Sequence, residues 1–122
     1  MVTFFADSYA LIDYVKGNKS YLKYFQEHNI VTTRLQLMEL YYSTLLDMNG
    51  EMASTYYDAF LDNCVVYEDD TIKRAMKFRH ENRKKKLSYV DAIGYQIASE
   101  QKIKFLTGDV QFEGMANVQY VK

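Results

Sequence analysis

Short apolar runs alternate along the chain with stretches whose apolar residues recur at helical spacing. Val2 to Ala6 (VTFFA) ends at Asp7, and Tyr9, Leu11, Ile12 and Val15 then fall on one helical face, so a strand hands over to a helix. Gly17 and Asn18 break the chain, and Ser20 can cap a helix carrying Tyr21, Leu22, Tyr24 and Phe25 to about His28. Ile30 to Thr32 reads as a second strand. Thr33 can then cap a long helix whose stripe Leu35, Met38, Tyr42, Leu45 and Leu46 is predicted to face the core, ending near Asn49 and Gly50. A helix follows from about Glu51 to Asn63, with Met52, Tyr56, Ala59 and Phe60 inward, and Cys64 to Tyr67 (CVVY) is β-branched enough for a third strand. Asp69 or Asp70 caps the next helix, to about Asn82. Ser88 and Asp91 make an S-x-x-D capping box ahead of Val90, Ile93, Ile97 and Ala98, which predicts a helix over about Tyr89 to Gln101. Lys104 to Thr107 is the next strand, Gly108 a turn, and Val118 to Val121 a last edge strand. Strands separated by helices predict an α/β fold: a small, mostly parallel sheet of four to five strands, flanked by helices that cover both faces.

Composition narrows this picture. With 122 residues, 48% of them hydrophobic, the chain suits one domain over residues 1–122 that buries roughly two thirds of its unfolded surface. The lone Cys64 can form neither an internal disulfide nor a zinc cluster, which favours a reducing cytoplasm. No apolar run approaches the roughly 18 residues of a membrane span, and the first segment carries acids where a signal peptide needs a basic leader, so no membrane association is expected. The net charge of -1 excludes binding to polyanions by bulk charge alone. The distribution is uneven, however: residues 1–70 hold 11 acids and 4 bases, residues 71–122 hold 5 acids and 11 bases. A carboxylate cluster rimmed by cations is therefore within reach of the fold.

Four acids stand where solvation alone would not put them. Asp7 closes the first strand, Glu39 interrupts Leu37-Met38-Glu39-Leu40-Tyr41, Asp91 lies in the first turn of the capped helix, and Asp109 comes after the Lys104–Thr107 strand. Parallel strands end along one edge, where ligands bind in α/β sheets, so Asp7 and Asp109 are predicted neighbours on which Asp91 and Glu39 can converge. Burying such charges costs several kcal/mol each unless they are compensated. No lysine or arginine adjoins them in sequence, so either carboxyls take up protons or a hard divalent cation neutralises them. Oxygen donors without histidine or cysteine favour Mg²⁺ or Mn²⁺ over zinc, and two such ions about 4 Å apart can activate water and stabilise the leaving oxygen of a phosphodiester.

Each acid also has a plainer reading. Asp7 suits a helix N-cap, Asp91 the capping box and Asp109 a turn beside Gly108; Glu39 is the hardest to explain without a partner. The basic run Arg83, Lys84, Lys85 and Lys86 just before Ser88 can hold a nucleic-acid backbone or simply complement a helix C-terminus. Tyrosines such as Tyr42 and Tyr56, and Phe60, read as core or interface, and the pairs Tyr41-Tyr42 and Tyr56-Tyr57 suit a core or a dimer face. His28 and His80 read as surface residues and Cys64 as a small buried hydrophobe.

Three stretches carry a family resemblance: FFADSYALIDYV, VTTRLQLMELYYSTL and LSYVDAIGYQIASEQKIKFLTGDVQFEGM, the last with a D-A-x-x-x-x-x-A helix, a short strand and then T-x-D-x-x-F. They are distributed from Phe4 to Met115, nearly the whole length of the chain, and resemble the PIN domain, specifically the VapC-type toxins of toxin–antitoxin systems. The resemblance implies a PIN-like three-layer sandwich and a metal-dependent endoribonuclease whose acids are Asp7, Glu39, Asp91 and Asp109. It also implies a homodimer and a cognate antitoxin laid across the active-site groove. Many relatives have a further acid just before the motif phenylalanine; here that position is Gln111, with Glu113 one step beyond Phe112, which leaves open whether one or two metal ions bind. Ser8 and Thr107 are candidates to hold a metal-bound water.

These observations combine into an expectation of single-stranded or structured RNA cut by metal-activated water, leaving a 5′-phosphate and a 3′-hydroxyl. The rival readings are a stand-alone PIN nuclease in RNA processing, an RNA-binding scaffold without catalysis, and a phospho-receiver built on the acidic cluster Glu68, Asp69 and Asp70.

Overall fold

The computed structural model describes residues 1–122. Four short strands form one parallel sheet in which β1 (Thr3–Ala6) lies between β2 (Asn29–Val31) and β3 (Lys104–Thr107), and β4 (Val118–Tyr120) extends the sheet beyond β3. Six helices connect and cover them: α1 (Ser8–Val15), α2 (Leu22–Glu27), α3 (Arg34–Asp47), α4 (Gly50–Ala59), α5 (Asp69–Glu81) and α6 (Tyr89–Gln101).

Strand side chains alternate, and each face of the sheet acquires its own core. Phe4, Ala6, Ile30 and Leu106 point towards α1, α2 and α3, where they meet Leu11, Tyr21, Tyr24, Leu37 and Leu40. Phe5 and Phe105 point the other way, to Ala75 of α5 and to Ala92, Ile93, Tyr95 and Ile97 of α6. Their rings lie 5.8 Å apart, and Phe112 closes over Phe105 at 4.7 Å. Gly94 lets α6 settle this low: a Cβ there would stand 2.8 Å from the Phe5 ring and 2.7 Å from Gln36 Nε2.

Local sequence sets the helix starts. Thr33 accepts from the Leu35 N–H at 3.1 Å, Asn49 from that of Met52 at 2.8 Å, and Ser88 and Asp91 form the reciprocal capping box at 3.0 and 3.1 Å. Glu68, not Asp69 or Asp70, is the cap residue of α5, and it makes no side-chain capping bond.

Two expectations require correction. Cys64–Tyr67 is not a strand: Thr32 and Cys64 form one isolated parallel bridge, and Val66 is 91% exposed. Only Thr32 N–H and C=O are paired there, with Asn63 and Val65, before the chain turns towards α5. Glu68, Asp69 and Asp70 therefore open a helix and close no strand, so they lack the strand-end placement a phospho-receiver uses. The inner face of α3 is also rotated from the predicted one. Gln36, Leu37, Leu40 and Thr44 are buried, whereas Tyr42 and Leu46 are 62% and 70% exposed and Met38 and Leu45 also face outward. Buried polar residues are tolerated on that face because each is bonded: the Thr44 hydroxyl donates to the Leu40 carbonyl at 2.9 Å, and Gln36 pairs with Thr33 and Val90.

Candidate active site

β1 and β3 are adjacent and parallel, so the residues just past their C-terminal ends meet at one edge of the sheet. The Asp7 N–H donates to the Leu106 carbonyl at 3.1 Å, which continues the strand pairing by one step and sets Asp7 beside Thr107. The Thr107 hydroxyl faces the Asp7 carboxyl and accepts from the Asp109 N–H at 3.0 Å, which sets the two acidic segments side by side. Gly108 between them permits the close turn, since a Cβ there would lie 2.3 Å from the Tyr9 ring and 2.4 Å from the Val121 carbonyl oxygen. Asp91 arrives on the first turn of α6 and Glu39 on the second turn of α3, where Ser8 donates its hydroxyl to Glu39 Oε1.

All four predicted acids thus face one region of the sheet edge. Asp7 is 2% exposed, and burial pushes its carboxyl up to about 8; the Thr107 hydroxyl and the hydrogen bond from the Ala10 N–H oppose that rise, and the carboxylates of Asp91 and Asp109 add to it. Asp91 is raised as well, first by burial and then by Asp109 and Glu39, against the stabilising bonds from Ser88. Each aspartate commits a carboxylate oxygen to a backbone N–H: Asp7 to Ala10, Asp91 to Ser88 and Asp109 to Gln111, at 2.9, 3.1 and 3.0 Å. The capping and turn readings therefore hold for all three, without conflict with membership of the cluster. No lysine or arginine pairs directly with these acids: the ion pairs of the molecule are Lys16–Asp47 and Arg74–Glu100, and Lys122, the cation at this edge, donates to the Gly108 carbonyl at 3.2 Å.

The donor chemistry suits a hard divalent ion, with oxygen ligands only and like charges held together. No three acids are close enough to grip one ion directly. An ion at this edge would therefore contact at most two carboxylates directly and keep water in its other positions, which Mg²⁺ tolerates.

Other groups frame the cluster. Gln36 is completely buried; it pairs with the Thr33 hydroxyl and donates from Nε2 to the Val90 carbonyl at 3.2 Å. It thereby bonds α3, three residues before Glu39, to α6, one residue before Asp91. Nothing in the sequence singles it out, because a glutamine within a helical pattern ordinarily reads as a solvent-facing position. Arg83, Lys84 and Lys85 form a 3₁₀ turn and Lys86 is left-handed at φ 56°, so the basic run is a turn leading into Leu87 and Ser88. Arg83 donates to the His80 carbonyl at 2.9 Å, which fits the helix-end reading for that residue, whereas Lys84, Lys85 and Lys86 form no ion pair.

No protein-family model and no curated protein matches the sequence. Solved structures do match its three-dimensional form. A chain of a toxin–antitoxin complex from Klebsiella pneumoniae superposes with a TM-score of 0.73 at 20% identity, over 98% of this chain and 96% of that one. DNA-bound VapBC from Salmonella typhimurium gives 0.77 at 17%, over 98% and 97%. The sarcin–ricin-loop-cleaving toxin VapC20 of Mycobacterium tuberculosis gives 0.72 at 16%, over 95% and 98%. The chain has a PIN-like fold. Near-complete coverage in both directions means that the sheet and its six helices belong to one PIN-like architecture with no large insertion. No helix of this PIN-like chain is long and apolar enough to cross a membrane.

Proposed function

We propose that the chain is a metal-dependent endoribonuclease of the VapC toxin type, cutting single-stranded RNA at the Asp7, Glu39, Asp91 and Asp109 edge. The observation that carries this reading is the burial of Asp7 against Asp91 and Asp109 with no ion pair to any of them. With all of these carboxyls ionised the arrangement is unfavourable until a divalent ion joins it; without one, Asp7 takes up a proton. The likeness to toxin chains of toxin–antitoxin complexes supports the same reading.

Asp7, Asp91 and Asp109 would hold Mg²⁺ or Mn²⁺, directly or through water. Bound there, the ion supplies a water of lowered pKa and charge neutralisation at the scissile phosphate. Glu39, oriented by Ser8, serves as a further ligand or aligns the attacking water, and Thr107 fixes Asp7 relative to Asp109. Because water and not the ribose 2′-hydroxyl attacks, the products carry a 5′-phosphate and a 3′-hydroxyl. Lys84, Lys85 and Lys86, with Arg83 at the turn, supply positive charge for the RNA backbone. The exposed apolar face of α3 (Met38, Tyr42, Leu45 and Leu46) is the surface assigned to a homodimer, and an antitoxin is the expected inhibitory partner.

Incubation with single-stranded RNA and Mn²⁺, followed by end-group mapping, tests the proposal. Cleavage abolished by EDTA, with 5′-phosphate ends, supports it. Cleavage that survives EDTA, or that leaves 2′,3′-cyclic phosphates, overturns it.

A further inference from the structure

Tyr89 is the first residue of α6, two positions before Asp91, and it is 65% exposed. One face of its ring is covered by the Arg79 guanidinium, 4.6 Å from the centroid. Arg79 is itself held from the other side, donating from Nε to the Leu87 carbonyl at 2.7 Å. Leu87 is anchored in the α6-side core, so the arginine spans a fixed backbone point and the tyrosine ring. The ring is therefore oriented before any ligand arrives, and its exposure leaves the face away from Arg79 for a ligand. Lys84, Lys85 and Lys86 precede it on the turn that leads into α6, and no acid pairs with them.

Most aromatic side chains here are accounted for by the fold: Tyr21 and Tyr95 each bond a backbone carbonyl, and Phe5, Phe105 and Phe112 form core stacks. Tyr89 is not. It belongs to neither core cluster, and its phenol has no hydrogen-bond partner in the protein. A rigid aromatic plane backed by arginine, beside a basic turn and a short distance along the helix from an acidic site, matches what an unpaired nucleobase needs. The base stacks on the open face while the lysines meet the flanking phosphates. A base within a duplex has both faces already covered and cannot use it.

We propose that Tyr89, preoriented by Arg79, is a stacking platform for an unpaired base of an RNA strand that runs over the start of α6, and so a determinant of single-strand preference. The inference rests on the nuclease reading for the meaning of the neighbouring site, but its test does not depend on cleavage. The parent for the binding experiment carries Asp7→Asn, so that RNA stays intact. Short oligoribonucleotides with 2-aminopurine at successive positions are titrated as single strands and as duplexes. Stacking predicts position-dependent fluorescence quenching for single strands. Adding Tyr89→Ala removes the quenching and weakens single-strand binding by on the order of tenfold, while Tyr89→Phe retains both and duplex binding is unchanged. Circular dichroism melts check that each variant is folded. The platform is refuted if folded Tyr89→Ala binds and quenches like its parent, or if it loses single strands and duplexes equally. Absence of metal-dependent cleavage by the unmodified protein, with quenching intact, would sink the nuclease reading and leave the platform standing.

Discussion

Replacing Asp7 by asparagine removes one ionisation from a carboxyl that is 2% exposed, and the consequence for stability can be worked through pH. The carboxyl titrates near its ordinary 3.8 when unfolded and at about 8 when folded, so the folded state binds the proton more tightly. Below pH 3.8 both states are protonated and the residue contributes nothing to pH dependence. Between pH 3.8 and about 8 the unfolded chain is ionised while the folded one is not, and stability falls as pH rises. At 1.36 kcal/mol per pH unit the accumulated loss is about 4 kcal/mol at pH 7 and about 5 to 6 kcal/mol above pH 8, where both states are ionised and the curve flattens. Asparagine keeps the oxygen that accepts from Ala10 and retains good N-cap character, so little is lost in exchange. In EDTA-containing buffer, Asp7→Asn is therefore more stable than the unmodified protein at neutral pH. The gap, read from urea unfolding, closes towards pH 4 and grows with pH. Added Mg²⁺ narrows it by stabilising only the unmodified protein. A gap that is independent of pH, or an unmodified protein that is the more stable at pH 8, would refute the burial argument.

Three further perturbations probe the surroundings. Gln36→Leu leaves the Thr33 hydroxyl and the Val90 carbonyl without their buried partner; thermal or urea unfolding should show a loss of about 1 to 3 kcal/mol, with weakened Mn²⁺ binding as α3 and α6 lose their bridge. Gly108→Ala drives a methyl to 2.3 Å from Tyr9 and 2.4 Å from the Val121 carbonyl, so unfolding measurements should register at least about 1 to 3 kcal/mol, and nuclease activity should fall as Asp109 is displaced. Changing Lys84, Lys85 and Lys86 together to glutamine should leave the melting temperature nearly unchanged but flatten the dependence of log Kd on log salt by about 2 for a single-stranded oligonucleotide, at roughly 0.7 per phosphate contact.

The sheet and the acidic edge were legible for a shared reason. Short apolar runs bounded by helical patterns leave few arrangements besides a parallel sheet, and parallel pairing brings the residues after β1 and β3 together whatever their side chains do. Asp7 beside Asp109 is a consequence of that topology, and Asp91 is placed by its capping box, which fixes where α6 begins. The face of α3 was not legible, because periodicity marks every face that carries apolar residues. The stripe through Met38, Tyr42 and Leu46 is more apolar than the inner one, whose Gln36 and Thr44 are polar yet bonded. Cys64 to Tyr67 failed for another reason: β-branched composition describes what a strand tolerates, and a strand still needs a neighbour along its length. The chain offers this segment a partner only at Thr32. The roles of Gln36 and Arg79 depend on contacts between residues distant in sequence, or on a turn whose shape is set by the left-handed Lys86, and neither is encoded in a local pattern.

Calorimetric titration of the unmodified protein with Mn²⁺ at pH 7.5, alongside Asp109→Asn, tests most directly whether the acidic edge is a divalent-cation site. The account predicts saturable heat in the unmodified protein that is lost or greatly reduced in the variant, while circular dichroism shows both to be folded. No binding to the unmodified protein, or equal binding to a folded Asp109→Asn, would contradict it.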